Sequence, residues 1–307
     1  MEGAVTRRWI VDALGDAAFA QLARELGGAE LQSVLLEVMH ARAAARAPAE
    51  LVAQHARDRF CQPATVDLRT SVALDGHLLA AAAGFEAIEL SPVAPLATCS
   101  RMGRSSQRRV LSALRGTELV ADPTNVLALE CARRMRGEAG AIHLATSHRV
   151  IRAQPVPRLP GYSQHFRLFA LASAGRETAD HGFTVDAVVR HVTTWLAALR
   201  ALEAHGYAFG ARHVDVLATP ARAALGDRIA GALADVAVNR KPLDHAYYSA
   251  GLRYMLWVAA PDGATIPIAD GGAFDWLAQL TANRRAVYVA SGLGAQLVAA
   301  RYRATRS

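Results

Sequence analysis

Two arginines in one predicted strand are the clearest candidates for binding an anion. Arg149 and Arg152 lie in the run AIHLATSHRVIRAQ, where they alternate with apolar residues. A guanidinium group can hold a phosphate or carboxylate through two parallel hydrogen bonds. The alternative is that the arginines are simply solvated side chains of the strand. The pattern leaves both interpretations open.

A carboxylate and a hydroxyl stand together where a strand gives way to a helix. The segment GTELVADPTNVLALECARRM predicts a strand, a turn at Asp122-Pro123, and a helix. Asp122 or Thr124 could cap that helix, since short polar side chains accept hydrogen bonds from its first free N–H groups. The alternative is that they face a bound ligand.

Two pairs of identical adjacent residues, Tyr247-Tyr248 and Gly271-Gly272, lie near the C-terminus. Tyr247 and Tyr248 precede an apolar run, where adjacent tyrosines usually place one ring in the core and one at the surface. In PIADGGAFDWL the apolar run meets Asp270, Gly271 and Gly272 and then resumes at helical spacing. This pattern predicts a strand that turns sharply into a helix, with Asp270 free to accept backbone hydrogen bonds.

The elements that must position these residues begin with a helical N-terminus. Apolar residues recur at three- and four-residue steps in DAAFAQLARELGG, ELQSVLLEVMHARAAARA and APAELVAQHARDRF. Gly27-Gly28 offers a stop between the first two, and Pro48 is acceptable in the first turn of the third. The sequence therefore predicts a helical N-terminal arm over residues 1–75.

The remainder, residues 76–307, alternates strands and helices. Extended apolar runs include FEAIEL, QHFRLFALASA, HVDVLAT, LRYMLWVAA and ATIPIAD, and TVDAVVRHVTTWLAALRALEAHG is an amphipathic helix. Pro261-Asp262-Gly263 is a strong hairpin signal. We expect an α+β domain with a mixed or antiparallel sheet. No strand leads into a G-x-G-x-x-G, a G-x-x-x-x-G-K-[ST] or a G-x-S-x-G motif, so dinucleotide, P-loop and hydrolase-elbow signatures are absent.

Composition excludes several classes of protein. Of the 307 residues 52% are hydrophobic and 20% charged, which is typical of a globular domain and not of a disordered chain. No apolar run reaches the roughly 18 residues of a membrane span, and no secretory signal is evident, so we expect a cytoplasmic protein. The three cysteines and eleven histidines are scattered, and we expect no structural metal. The net charge of +7 permits nucleic-acid binding but does not favour it.

The order of these segments resembles the catalytic domain of class II aminoacyl-tRNA synthetases. The similarity is greatest to histidyl-tRNA synthetase and its paralogue, the regulatory subunit of ATP phosphoribosyltransferase. GFEAIELSPV resembles the first motif, LVADPTNVLALECARR the L-R-P-E-G-T segment, and HRVIRAQPVPRLPGYSQHFRLFAL the second motif. LDHAYYSAGLRYMLWVAAPDGATIPIADGGAFDWL is similar to R-G-L-D-Y-Y-T-G followed by G-G-R-Y-D. The resemblance runs roughly from residue 84 to residue 297 and rests on collinearity.

The resemblance implies a set of ligand contacts. Asp122 and Thr124 match residues that help hold an amino acid's ammonium group, and the second motif supplies an ATP-binding arginine. We prefer Arg149 to Arg152 for that role, because it keeps the strand length before the loop. The candidate ligand-binding residues are Asp122, Thr124, Arg149, Arg152, Gln164, Tyr247, Tyr248, Gly271 and Gly272.

The departures from the family pattern concern charge. Ala273 stands where G-G-R-Y-D has arginine, and Gln296 stands where the third motif has an arginine for ATP. In the amino-acid pocket, Leu243, Ala246 and Leu168 replace an arginine, an aspartate and a glutamine. Adenylation develops negative charge that fixed cations and Mg²⁺ must offset. The changes therefore weaken the expectation of ATP chemistry.

Three hypotheses follow. We favour a non-tRNA-charging paralogue that binds an amino acid or related small molecule and regulates a partner enzyme. The first alternative is a ligase that uses ATP and magnesium to activate an unusual amino or carboxylic acid, with charge supplied by Arg149, Arg152, Arg158 or Arg167. The second is a tRNA-binding accessory protein. The resemblance also implies a homodimer that meets through residues 84–92.

Overall fold

The N-terminal quarter of the protein is a succession of helices. The computed structural model describes residues 2–103, 105–137 and 140–303. Gly27 precedes the third helix and Pro48 opens the fourth, as the sequence predicts. The helices are α1 (Glu2–Leu14), α2 (Asp16–Ala20) continued by a π-helical turn (Gln21–Glu25), α3 (Gly28–Ala44) and α4 (Pro48–Arg57).

These first helices bury almost nothing. From residue 8 to residue 57 no side chain is buried, and Trp9, Met39 and Val52 are more than half exposed. Isolated helices of this length are marginally stable in water, so their apolar side chains offer a surface for further packing.

Helix α5 (Leu68–Ala81) is the first element that packs onto the rest of the protein. Asp67 caps it by accepting a hydrogen bond from the Thr70 amide at 3.2 Å. Leu74 and Leu78 are 1% exposed and join the main core. The predicted division of the chain after residue 75 falls inside this helix and stays a prediction.

Two sheets form the body. The larger has eight strands in the order β1-β5-β6-β11-β10-β9-β7-β8, and the smaller has the order β2-β4-β3. In the larger sheet the pairs β1–β5 and β7–β8 are parallel, while the other neighbours are antiparallel. The strands are β1 (Glu86–Ala87), β2 (Val93–Pro95), β3 (Ser112–Ala113), β4 (Thr117–Leu119), β5 (Ile142–Ile151), β6 (His165–Arg176), β7 (Arg212–Ala218), β8 (Ala237–Pro242), β9 (Leu252–Ala259), β10 (Thr265–Phe274) and β11 (Ala286–Leu293).

Helices cover both faces of the large sheet. One face packs on α5, α8, α9 and α11 around a core that includes Trp195, and the other packs on α7 and α10 around Leu127, Trp276 and Tyr288. This arrangement confirms the predicted α+β class. The remaining helices are α6 (Thr98–Met102), α7 (Pro123–Arg134), α8 (Gly182–Glu203), α9 (Ala223–Ala232), α10 (Trp276–Thr281) and α11 (Ala295–Arg301), with 3₁₀ turns at Gln107–Arg109, Ala179–His181 and Pro220–Arg222.

The predicted hairpin is present. Strands β9 and β10 are antiparallel, and the turn between them contains Gly263 in the left-handed region at φ 84°. The register pairs Arg253 with Gly272 and Met255 with Asp270. Since only every second residue faces one side, Arg253 and Asp270 lie diagonally on the same face.

The prediction of a sharp turn at Gly271-Gly272 is wrong. Strand β10 continues through both glycines to Phe274, and α10 begins only at Trp276. The glycines are needed for close packing: a Cβ on Gly271 would overlap Ser291, and one on Gly272 would overlap the Leu252 carbonyl and lie 2.5 Å from Cδ1 of Tyr248. Absence of a side chain lets neighbouring groups approach a strand closely.

The extended run FEAIEL is shorter in the structure than predicted. Only Glu86–Ala87 forms β1, paired in parallel with Leu144 and Ala145 at one edge of the large sheet. Within residues 2–103, 105–137 and 140–303, no helix combines the length and apolar character that a bilayer crossing requires.

Candidate ligand-binding site

A cavity of about 340 Å³ opens beside the N-terminus of α7, on the sheet face that carries α7 and α10. Strands β6, β9, β10 and β11 contribute residues to its lining. Six of the nine residues selected from the sequence line it: Asp122, Thr124, Arg152, Tyr247, Tyr248 and Gly271.

Asp122 both caps α7 and faces the cavity. Its Oδ1 accepts hydrogen bonds from the Thr124 amide at 3.0 Å and the Thr124 hydroxyl at 2.7 Å. Its Oδ2 accepts from the Tyr247 hydroxyl at 3.3 Å and lies 3.6 Å from a guanidinium nitrogen of Arg152. The capping role and a ligand-facing role therefore coexist, because the two oxygens point to different partners.

Tyr247 and Tyr248 both lie inside the protein, in the turns before β9. Their ring centroids are 5.2 Å apart at 79°, and both rings pack against Phe274. Tyr248 is buried and Tyr247 is partly buried, since the aromatic cluster around Phe274 covers much of both rings. Burial raises the pKa of each phenol, with Asp122 adding to the effect at Tyr247 and Asp270 at Tyr248. Both phenols remain protonated hydrogen-bond donors.

An ion pair that the sequence reasoning missed lies next to them. Arg253 donates from Nε to Oδ1 of Asp270 at 3.0 Å and from an Nη to Oδ2 at 2.7 Å. The Tyr248 hydroxyl also donates to Oδ1 at 2.6 Å. Asp270 was expected to accept from backbone amides, but its carboxylate is engaged by these side chains. The hairpin register carried the signal, since it sets Arg253 and Asp270 diagonally across two strands.

The two second-motif arginines lie on opposite faces of the large sheet. Arg152 follows β5, lines the cavity, donates from Nε to the Ala121 carbonyl at 2.8 Å, and has its guanidinium 5.2 Å from the Phe166 ring centroid. Arg149 hydrogen-bonds to Nδ1 of His165 at 2.9 Å outside the cavity. Burial, aided by nearby Arg167, lowers the pKa of Arg149. The preference for Arg149 as the ligand residue therefore has no support from this geometry.

Two other predicted residues, Gln164 and Gly272, do not line the cavity but contact residues that do. Gln164 does not line the cavity, but its backbone carbonyl accepts a hydrogen bond from the Arg152 amide at 2.8 Å. Its buried Oε1 has no hydrogen-bond partner among the described residues. Gly272 lies under the Tyr248 ring and leaves the space that the ring occupies.

Uncharged residues occupy the two positions where the family pattern has arginines for ATP. Ala273 is 3% exposed and packs in the core on the α8 side of the sheet. Gln296 is 4% exposed and donates from Nε2 to the Ser163 hydroxyl at 2.9 Å. The cavity obtains its cations elsewhere, from Arg109, Arg152 and Arg253, of which Arg109 and Arg253 had no motif to reveal them.

A thiol also borders the cavity. Cys99 is buried beside Asp122, and its burial raises the pKa to about 11. A protonated thiol is a weak nucleophile, so Cys99 acts here as an apolar wall residue.

The fold is class II aminoacyl-tRNA synthetase-like. The solved structures that match with this architecture include an ATP phosphoribosyltransferase regulatory subunit/histidyl-tRNA synthetase from Bacillus halodurans. It matches with a TM-score of 0.59 and 13% identity, over 78% of this chain and 80% of that chain.

Two histidyl-tRNA synthetase structures match in the same way. The S. aureus enzyme gives a TM-score of 0.55 at 14% identity, over 75% of this chain and 64% of that chain. A histidine–tRNA ligase subunit from Alicyclobacillus acidocaldarius gives a TM-score of 0.56 at 15% identity. The match covers 78% of this chain and 94% of that chain. No protein-family model matches the sequence. No curated protein matches it either.

Proposed function

We propose that this protein binds an amino acid or a related small molecule in the cavity and regulates a partner protein, without charging tRNA. In this proposal the ligand's ammonium group lies against Asp122 and Tyr247, and its acidic group lies against Arg152. The protein acts in the cytoplasm as a homodimer.

The observation that carries this proposal is the chemistry of Asp122. Its Oδ2 faces the cavity with one long hydrogen bond from Tyr247 and a 3.6 Å contact to Arg152. This oxygen can therefore accept further hydrogen bonds, as an ammonium group would donate. Arg152, held in place by Ala121 and Phe166, offers its remaining N–H groups to a carboxylate. The Asp122 carboxylate and the Arg152 guanidinium, 3.6 Å apart, can therefore bind the ammonium and the carboxylate of one small zwitterion.

The regulatory part of the proposal draws on the neutral residues at two positions. Ala273 and Gln296 provide no charge where the family pattern has arginines for ATP. The Bacillus halodurans neighbour carries the description of a regulatory subunit as well as of a synthetase. A binding protein without ATP turnover is consistent with both facts.

The ligase alternative is favoured by one observation, the three arginines of the cavity. Arg152 is the only member of the four arginines considered from the sequence that lines it, and Arg109 and Arg253 add two more cations. The carboxylates do not favour bound Mg²⁺, because Asp270 is fully engaged by Arg253 and Asp122 already faces Arg152. Within the described parts of the chain, no three His, Cys, Asp or Glu residues group together as metal ligands.

A thermal-shift screen with the twenty amino acids, with and without Mg²⁺-ATP, tests the proposal. We expect one amino acid or a small chemically related group to raise the melting temperature, and Mg²⁺-ATP to leave that shift unchanged. Asp122→Asn should abolish the shift while retaining the helix cap, since asparagine caps as well as aspartate. Asp235→Asn, an exposed change outside the cavity, is the control. Stabilisation by Mg²⁺-ATP alone would favour the ligase alternative and call for a pyrophosphate-release assay.

A further inference from the structure

The charged side chains of the cavity do not balance. Three arginines, Arg109, Arg152 and Arg253, line it together with two aspartates, Asp122 and Asp270. With histidine counted as neutral, the lining carries an excess of one positive charge. The partners of each arginine show where that excess lies.

Arg253 is fully compensated. Its guanidinium makes two hydrogen bonds to the Asp270 carboxylate, at 3.0 and 2.7 Å, and lies 5.0 Å from the Tyr248 ring centroid. The pKa of Arg253 is raised by this pairing despite partial burial. A bidentate pair of this kind fixes both side chains, so Arg253 shapes the wall and adds no net charge.

Arg152 is oriented but only loosely compensated. Its closest contact to Asp122 is 3.6 Å, which is beyond a good hydrogen bond, and its Nε is used by the Ala121 carbonyl. When Asp122 receives the ammonium of a ligand, as proposed above, the charge of Arg152 becomes available to an anionic group of the same ligand.

Arg109 has no counter-charge among the residues that the structure describes. It ends the 3₁₀ turn Gln107–Arg109, and its side chain has neither an ion pair nor a hydrogen bond within the described residues. Its backbone carbonyl accepts a hydrogen bond from the Ala153 amide at 2.9 Å, which ties this turn to the residue after Arg152. Arg109 and Arg152 therefore both line the cavity, and among the lining residues that the structure describes, Asp122 is the only carboxylate outside the Arg253–Asp270 pair.

We propose that the ligand is an acidic one: a zwitterion that carries a second anionic group, held by Arg109. This inference rests on the proposed function and specifies its substrate class. A ligand of net charge −1 neutralises the excess, with its ammonium on Asp122, one anionic group on Arg152 and the other on Arg109. A carboxylate and a phosphate share this chemistry, because a guanidinium binds either through paired hydrogen bonds.

The experiment compares acidic ligands with neutral ones of nearly the same shape. Isothermal titration calorimetry on the full chain measures the dissociation constants of glutamate against glutamine, aspartate against asparagine, and O-phosphoserine against serine. We expect at least one acidic member to bind about tenfold or more tightly than its neutral counterpart, the size of one charge-assisted hydrogen bond. The carboxylate pairs and the phosphate pair distinguish the two sources of the charge.

Two variants assign the effect to Arg109. Arg109→Gln should weaken the acidic ligand about tenfold and leave the neutral counterpart unchanged, and Arg284→Gln, an exposed change of the same charge outside the cavity, should alter neither. Because Arg109 is exposed, its replacement leaves the fold intact, which a melting curve checks. If neutral amino acids bind as tightly as acidic ones, or if Arg109→Gln weakens both alike, the inference is overturned while the proposed function stands. If no member of any pair binds, the inference is overturned, and the thermal-shift screen with the twenty amino acids decides separately whether the proposed function also fails.

Discussion

The hydroxyl of Tyr248 donates a 2.6 Å hydrogen bond to Asp270, the carboxylate that Arg253 also binds with two nitrogens. This relationship links the turn before β9 to the middle of β10 and closes one wall of the cavity. Arg253 and Asp270 come from the hairpin, whereas Tyr248 comes from the segment that resembles R-G-L-D-Y-Y-T-G.

The Arg253–Asp270 pair should be energetically coupled. We predict that a double-mutant cycle of Arg253→Met and Asp270→Asn gives a coupling energy of about 1 kcal/mol, small because the Asp270 side chain is 40% exposed. Urea unfolding of the four proteins measures it. The Arg240–Asp227 pair, in which both side chains are more than half exposed, serves as the control and should give a smaller value. Equal coupling in the two pairs would contradict the structural role given to Asp270.

Gly272 should tolerate no side chain. A Cβ at this position overlaps the Leu252 carbonyl and lies 2.5 Å from the Tyr248 ring, so Gly272→Ala must displace either the backbone or the ring. We predict destabilisation by roughly 2–3 kcal/mol, the usual cost of overpacking, together with loss of ligand binding. Gly231→Ala in α9, with open space at the new Cβ, is the matched control. A stable Gly272→Ala protein that binds ligand normally would show that the ring is not confined as described.

His191 should make stability depend on pH. It is fully buried between the hydroxyls of Ser173 and Ser291, each 2.9 Å away, and burial, with His143 and Arg190 nearby, lowers its pKa to about 3. The unfolded chain binds the proton below a pKa of about 6.5 while the folded chain does not, so stability falls as pH decreases from about 6.5 towards 3.

The measurement is the free energy of unfolding at about pH 6 and about pH 4. We predict that it falls by about 1.4 kcal/mol per pH unit more in the wild type than in His191→Gln. His55→Gln, at an exposed position of α4, should keep the wild-type slope. Identical slopes in wild type and His191→Gln would mean that the imidazole is protonated in the folded protein.

The proposed homodimer can be tested on α5, which leads into the predicted interface at residues 84–92. Leu68, Val72 and Leu79 are 67%, 59% and 38% exposed and follow one another at helical spacing. We predict that Val72→Asp converts a dimer to a monomer in light scattering coupled to size exclusion, because a charge would be buried in the contact. Val52→Asp on α4 should leave the dimer intact. A monomeric wild type would contradict the proposal directly.

Sequence reasoning succeeded where a local rule determines the structure. Asp122 at the start of α7, Pro48 at the start of α4 and the Asp262-Gly263 turn follow from capping and turn chemistry. It failed where long-range packing decides. The two central glycines of β10 are required by Ser291 and Tyr248, which approach from other elements, and no local pattern separates that use from a turn.

The same limit applies to the candidate site: residues in local motifs were predictable, and residues placed by long-range packing were not. The choice between Arg149 and Arg152 depends on which face of β5 meets the cavity, and that is fixed by the packing of α5 on one side and α7 on the other. Arg109 lines the cavity at the end of a turn whose carbonyl accepts a hydrogen bond from the Ala153 amide, a long-range contact that no local pattern indicates. The resemblance located Asp122 and the tyrosines and offered Arg152 as a candidate, while Arg109 and Arg253 had to come from the structure.

The central claim is that the cavity binds a small zwitterion through Asp122 without turning over ATP. The most direct measurement is calorimetric titration of the amino acid that gives the largest thermal shift into the wild-type protein and Asp122→Asn, followed by a pyrophosphate assay of the same samples with Mg²⁺-ATP. The account predicts one ligand per chain, binding that is lost in Asp122→Asn, and no pyrophosphate. Equal binding by the two proteins, or pyrophosphate release that depends on the amino acid, would contradict it.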